Sequence, residues 1–278
     1  MIGVVTDSAS DLPIDLAGHY EIEIVPLTIR IGNREVADRR DLTAESFWRE
    51  LSVSDVLPET AAPGVGQFQE AYDELARNGA DGIVSLCLSS RLSATYQSAV
   101  IAAERMKDDI PVRVVDSQAV SMALGFQVLE AARAAQQHDS IDDVEGAARA
   151  AIGKTGILAA LDTLEFLKRG GRIGTSQAFV GGALDIKPLL TLEGGVIAPA
   201  GRVRTRSAAL DAISDQVSQL LPQLAELAVL NGSADDLEAL MLRLEQHISR
   251  EDVLVADIGP VVGTHTGPGV VGIAFRLK

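Results

Sequence analysis

Residues 82–93 read Gly82-Ile83-Val84-Ser85-Leu86-Cys87-Leu88-Ser89-Ser90-Arg91-Leu92-Ser93. An apolar run with a single serine gives way to a hydroxyl-rich turn, and helical periodicity follows over residues 94–107. A parallel strand that returns through a helix has this sequence grammar. The same grammar recurs on both sides. A strand at 2–6 runs into Thr6-Asp7-Ser8-Ala9-Ser10-Asp11, and one at 112–116 runs into Asp116-Ser117 with Ser121 one turn on. A further strand is expected at 22–31, with helices at 13–20, 44–51, 65–78, 119–137 and 142–152. Gly79 stands where a helix-ending glycine belongs. The first half therefore reads as a parallel sheet covered by helices.

The texture changes near Gly153–Gly156. A strand at 157–161 precedes a short helix ending at Gly170-Gly171, then a stretch containing Gly174, Gly181 and Gly182. Strands at 188–192 and 196–199 flank Glu193-Gly194-Gly195, a hairpin signal. A helix at 207–220, a strand at 227–230 and a helix at 235–248 capped by Ser233 follow. Strands at 253–258 and 270–277 close the chain around a glycine-rich loop. The expected architecture is α/β: two α/β domains, residues 1–153 and 154–278, with a ligand tunnel between them.

Nearly half the residues are apolar but only 4% are aromatic, so the interior is aliphatic. The net charge of −15 repels phosphate backbones and anionic membranes, which argues against nucleic acid as a partner. Cys87, the one cysteine, excludes an internal disulfide and reads as a buried strand residue. The start has no basic signal-peptide region, and no apolar stretch is long enough to span a bilayer, so a cytoplasmic location is expected.

In parallel sheets, ligands bind beyond the carboxyl ends of the strands. The three hydroxyl-bearing turns lie there. Helix capping explains each one singly, while the three together also fit an anion or carboxyl site. Arg172, in Arg169-Gly170-Gly171-Arg172, and the cluster Arg202, Arg204 and Arg206 are candidates for an anion or a partner's acidic surface. His265 lies in Gly263-Thr264-His265-Thr266-Gly267-Pro268-Gly269, where little packing reason for an imidazole is evident, so it reads as functional. His19, His138 and His247 read as surface residues. No recurring His, Cys or Asp spacing suggests a metal.

These segments in order resemble the DegV family, which includes the fatty-acid-binding (FakB) subunits of bacterial fatty acid kinase. The matching blocks include Val5-Thr6-Asp7-Ser8, Val25-Pro26-Leu27, Leu88 through Tyr96, Val115-Asp116-Ser117, Gly170-Gly171-Arg172-Ile173, Ile186-Lys187-Pro188, Arg204-Thr205 and His265 through Gly269. The resemblance implies a non-enzymatic carrier that buries a long-chain fatty acid and needs no other cofactor. It would present the carboxyl group to an ATP-dependent kinase subunit, which forms the acyl phosphate for phospholipid synthesis. Ser93 and Thr60 would hold the carboxyl, with His265 and Thr266 in the same network. Arg172 and Arg204 would serve phosphoryl transfer or kinase docking, and a lipid carrier would also meet membranes transiently. The chain departs from the family at Thr60-Ala61-Ala62-Pro63-Gly64, where Thr-Ser-Gln-Pro-Ser is usual, and at Ala94, where glycine is usual.

Two other readings use the same residues. One is a hydrolase with Ser93, His265 and an acid such as Asp7 or Asp116, although no Gly-x-Ser-x-Gly elbow surrounds Ser93. The other is a binding module for another small carboxylate or a phosphorylated metabolite.

Overall fold

The structure, a computed structural model, describes every residue except 55, 138–139 and 180–185. The expected surface residue His138 and the glycines Gly181 and Gly182 lie outside the described residues. Through the first half the elements run β1 (Ile2–Asp7), α1 (Ile14–His19), β2 (Ile22–Val25), β3 (Thr28–Ile31), β4 (Arg34–Ala37), α2 (Ala44–Leu51) and β5 (Glu59–Ala61). Then come α3 (Val65–Arg77), β6 (Gly82–Cys87), α4 (Thr95–Arg105), β7 (Val112–Asp116), α5 (Met122–Gln136) and α6 (Ile141–Ile152). The second half begins with β8 (Thr155–Ala160), α7 (Glu165–Arg169), β9 (Lys187–Glu193), β10 (Val196–Val203) and α8 (Arg206–Leu220). It ends with β11 (Leu224–Gly232), α9 (Leu237–Leu244), β12 (Val253–Asp257), α10 (Pro260–Thr266) and β13 (Val270–Leu277). The expected division at 153–154 falls in the turn between α6 and β8.

Among the described residues the strands form three sheets. A parallel sheet has the order β2-β1-β6-β7, and a mixed sheet has the order β10-β9-β8-β13-β11-β12. A small antiparallel sheet, β4-β3-β5, lies beside them. The strand expected at 22–31 is thus two strands in different sheets. Pro26 cannot donate to a ladder, and Leu27 N–H is taken by Ser8 Oγ at 3.0 Å. In the β9–β10 hairpin, Gly194 and Gly195 carry φ of 54° and 80°. This is the doubly left-handed pattern that suits a tight two-residue turn.

Layering follows from which faces are apolar. One cluster packs α3 and α4 on the parallel sheet through Phe68, Tyr72 and Ala99. Another packs α8 and α9 on the outer face of the mixed sheet through Leu210, Ile213 and Leu240. Between the sheets runs a shared core that includes Val84, Leu124, Phe126 and Ala274. Helix α5 occupies this middle layer, with eleven of its fifteen residues buried. A helix covered on both sides must be apolar nearly all round, as Met122-Ala123-Leu124-Gly125-Phe126 is.

An ionic cluster fastens α5 to the mixed sheet. Arg133 Nη2 and Arg276 Nε donate to Glu226 Oε1 and Oε2 at 2.5 and 2.6 Å. Burial pushes the Glu226 carboxyl up, but its bonds from the two arginines outweigh this and hold it below the ordinary range. A depressed acid contributes stability above its unfolded pKa and loses it as pH falls through the folded value. Glu226→Ala is expected to lower unfolding free energy by about 2 kcal/mol at neutral pH, and by less in acid. Urea unfolding at two pH values checks this.

Three expectations need correction. The loop expected between β12 and β13 contains helix α10, whose last turn carries His265. Helix α9 is shorter than residues 235–248, and its N-cap is Asp236; Ser233 lies in the preceding turn with φ 56°. His247 is half-buried rather than a surface residue, whereas His19 is exposed. Cys87 is buried as expected, and burial pushes its thiol pKa up.

Candidate functional site

One face of the mixed sheet forms the floor of a cavity. Alternate residues of a strand share a face, and Ile157, Ala159 and Leu161 of β8 and its end line the cavity together. Paired residues across strands also share a face. Ala159 pairs with Leu190 on one side and Gly272 on the other, and Gly272 pairs with Leu230. The two central strands therefore present alanine and glycine between flanking leucines, which leaves a trough. From Ile197 on β10 to Leu230 on β11 the floor crosses four strand spacings, about 19 Å. Leu88, Leu92 and Val120 close it from the parallel-sheet side, and Val261 and Val262 of α10 from another. The space unfilled by atoms, counting its mouth, is about 920 Å³.

Polar residues interrupt this aliphatic wall, Ser121 and Thr191 among them. Thr60, Ser93, Arg172, His265 and Thr266 all line the cavity, although they come from β5, the loop before α4, the segment after α7, and α10. Thr60 Oγ1 and His265 Nε2 are 2.9 Å apart. Ser93 Oγ lies 2.8 Å from Thr95 Oγ1 and accepts the Thr95 N–H. Arg172 donates from Nε to Leu92 O at 3.1 Å and from Nη1 to Gly170 O at 2.6 Å, so the guanidinium is held at the rim. Thr266 donates to Val262 O. Arg204 is exposed after β10 and is not among the lining residues. Arg206 is committed to Asp236 and to Gly269 O.

His265 is neutral at neutral pH. Burial lowers its pKa to about 4, and the Arg172 charge presses the same way. Its Nδ1 has no partner among the described residues, because that edge of the ring faces Gly170. A Cβ there would lie 2.3 Å from Nδ1, so glycine is what lets α7 approach the imidazole. Trp48 and Phe47 hold the other side of α10, where a Cβ on Gly263 would strike both rings.

The hydroxyl turns at the sheet edge serve the backbone more than the cavity. Asp7 accepts the N–H groups of Ala9 and Leu88, Ser89 donates to Gly195 O, and Ser90 pairs with Asp116. Of the hydroxyl residues in those turns, only Ser93 and Ser121 reach the cavity lining. Ser121 holds φ 55° and ψ −152°, a region that suits glycine and costs other residues about 1–3 kcal/mol. A Ser–His–acid relay is not assembled: His265 has neither Asp7 nor Asp116 as a partner, and Ser93 is paired with Thr95. Among the described residues no group of three or more His, Cys, Asp or Glu is placed to hold a metal ion.

Sequence reasoning missed the floor. Its signal was the alternation Ile157, Ala159, Leu161, with the pairing partners knowable only from register.

Comparison with known proteins bears on the same site. The family described as "Uncharacterised protein, DegV family" matches residues 1–278. A DegV domain-containing protein of Streptomyces coelicolor is 38% identical over 280 residues, covering 100% of this chain and 99% of that one. A Thermus thermophilus DegV family protein described as fatty acid binding superposes with a TM-score of 0.89 at 34% identity, covering 100% and 99% of the two chains. DegV of Bacillus subtilis, described as a fatty acid binding protein, gives 0.88 at 30% identity, with coverage of 100% and 99%. With a match over its full length, this chain belongs to the DegV family.

Proposed function

We propose that the protein carries a long-chain fatty acid, with the alkyl chain in the trough and the carboxyl group at Thr60, Ser93 and His265. The observation that carries this reading is a cavity with a mostly aliphatic wall that Thr60, Ser93, Arg172 and His265 line together. The fatty-acid-binding descriptions of the Thermus and Bacillus relatives support it. Burying about sixteen carbons gains roughly 0.8 kcal/mol per CH₂, more than about 10 kcal/mol gross. Ordering and association costs remove part of that. A carboxylate buried without partners would forfeit much of the rest. Two hydroxyls, a neutral imidazole and the Arg172 charge provide those partners.

In this reading the protein is not itself an enzyme. A separate ATP-dependent kinase takes the presented carboxyl to an acyl phosphate that feeds phospholipid synthesis, with Arg172 and Arg204 at the docking surface. The work is cytoplasmic, with transient visits to membranes. No helix among the described residues is long and apolar enough to cross one.

Mass spectrometry of lipid retained through purification tests the ligand; a different carboxylate or a phosphorylated metabolite in its place would overturn the assignment. Acyl phosphate formation with the cognate kinase tests the presentation step. Ser93→Ala is expected to lower that rate about tenfold, the worth of one hydrogen bond to a charged group. An unchanged rate would remove Ser93 from the site.

A further inference from the structure

Asp11 stands outside the polar cluster, yet it touches two walls of the cavity. It is buried at the end of the turn after β1, and its two carboxylate oxygens serve different elements. Oδ2 accepts Ser121 Oγ at 2.6 Å. Oδ1 accepts the Gly259 N–H at 2.9 Å. Ser121 lines the cavity and begins α5, its own N–H donating to Ala9 O at 2.7 Å. Gly259 caps α10, the helix that presents Val261, Val262, His265 and Thr266 to the cavity. Glycine admits the carboxylate, since a Cβ at 259 would lie 3.0 Å from Oδ1.

We propose that Asp11 is a positioning residue for the cavity: one carboxylate ties the α5 wall to the α10 wall and thereby sets both the gap for the chain and the place of His265. The ligand in this inference rests on the fatty-acid reading, while the tie itself does not.

Several charged groups face Asp11. Arg39 follows β4, donates to Leu12 O and attracts the carboxylate. Asp38 is buried, with neither oxygen partnered among the described residues. Asp7 ends β1, and Asp257 ends β12. Burial raises Asp11 to about 6, with Arg39 opposing and Asp257 adding, and burial likewise raises Asp7 and Asp38 to about 7. Between the ordinary carboxyl value and about 6, the folded chain keeps a proton that the unfolded chain has released, so this group costs stability progressively as pH rises through that window and in full above it. What the proton removes is the charge: a neutral carboxyl still accepts the Gly259 N–H and can donate to Ser121 Oγ, but without charge assistance. The tie is at full strength above about pH 6 and weaker below.

The test loads the full-length protein with a fluorescent polyene fatty acid and follows its release. Asp11→Asn keeps an acceptor for Gly259 and turns an NH₂ toward the Ser121 hydroxyl, which can accept it, so the tie becomes neutral. It is expected to release the probe about tenfold faster near pH 8, equivalent to the lost charge assistance. Near pH 5 the ratio to wild type should shrink toward one, because the wild-type carboxyl is then neutral as well; a merely structural lesion gives a ratio independent of pH. Ser121→Gly removes one donor and suits the local φ, so it should speed release by a smaller factor and decides the matter if the first variant does not fold. The His265 imidazole resonances of the unliganded protein should move in Asp11→Asn. Wild-type release rates in both variants, a pH-independent ratio, or unmoved resonances would overturn the inference. If wild-type protein takes up no probe, the fatty-acid reading fails instead, and the imidazole resonances still decide for Asp11.

Discussion

Ala159→Phe is expected to abolish binding of long-chain fatty acids while leaving the empty protein folded. Ala159 sits mid-floor, between Leu190 and the side-chain-free Gly272. A benzyl group there projects into space the alkyl chain would occupy. Displacing four or five methylenes forfeits roughly 3–4 kcal/mol, a loss of about a hundredfold or more in affinity. The added ring meets a cavity rather than packed atoms, so overpacking strain is small and the melting temperature should hold within a few degrees. Isothermal titration with the acid and with its methyl ester should show both losing affinity. Retained binding of either would mean that the chain does not cross the mixed sheet.

Thr60→Val is the complementary experiment. Valine fills nearly the same volume, but the hydroxyl is gone and His265 Nε2 loses the partner 2.9 Å away. Its Nδ1 already has none among the described residues. The ring would then be buried with both nitrogens unpaired, at a cost of about 1–3 kcal/mol. The bound carboxylate would lose a donor as well. The acid is expected to bind about 30-fold more weakly, whereas the methyl ester, which makes no charged contact, should bind nearly as before. An equal loss for acid and ester would show that Thr60 supports the cavity shape rather than the head group. The two substitutions divide the ligand between its tail and its head.

How much of this was legible in the sequence depends on whether the signal was local. The strands β1, β6 and β7 and the Gly194-Gly195 hairpin carry their own periodicity and turn chemistry, and they form where expected. Ser93, Thr60, Arg172, His265 and Thr266 were named together through family resemblance and do line one cavity. No spacing rule would have united residues so far apart in the chain. The misses are tertiary. Strand β5 is Glu59-Thr60-Ala61, without apolar alternation, and it is a strand only because Thr60 pairs with Ile29. Helix α10 reads Pro260-Val261-Val262-Gly263-Thr264-His265-Thr266, rich in poor helix formers. Burial of Val261 and Val262, with the Asp11 bond to Gly259, holds it. Asp11 itself looked like one more turn residue, because its partners lie 110 and 248 positions away.

The wedging of α5 between two sheets has a consequence for how cargo gets in and out. A clamshell motion would strip both flanks of a helix with eleven buried residues, and at about 25 cal/mol per Å² of apolar surface such a gape is prohibitive. The three-stranded sheet that carries Thr60 is joined to the same core, since Ile29 of β3 is fully buried in it and Thr60 is bonded to His265. In the proposed carrier, cargo therefore passes without the two large sheets parting.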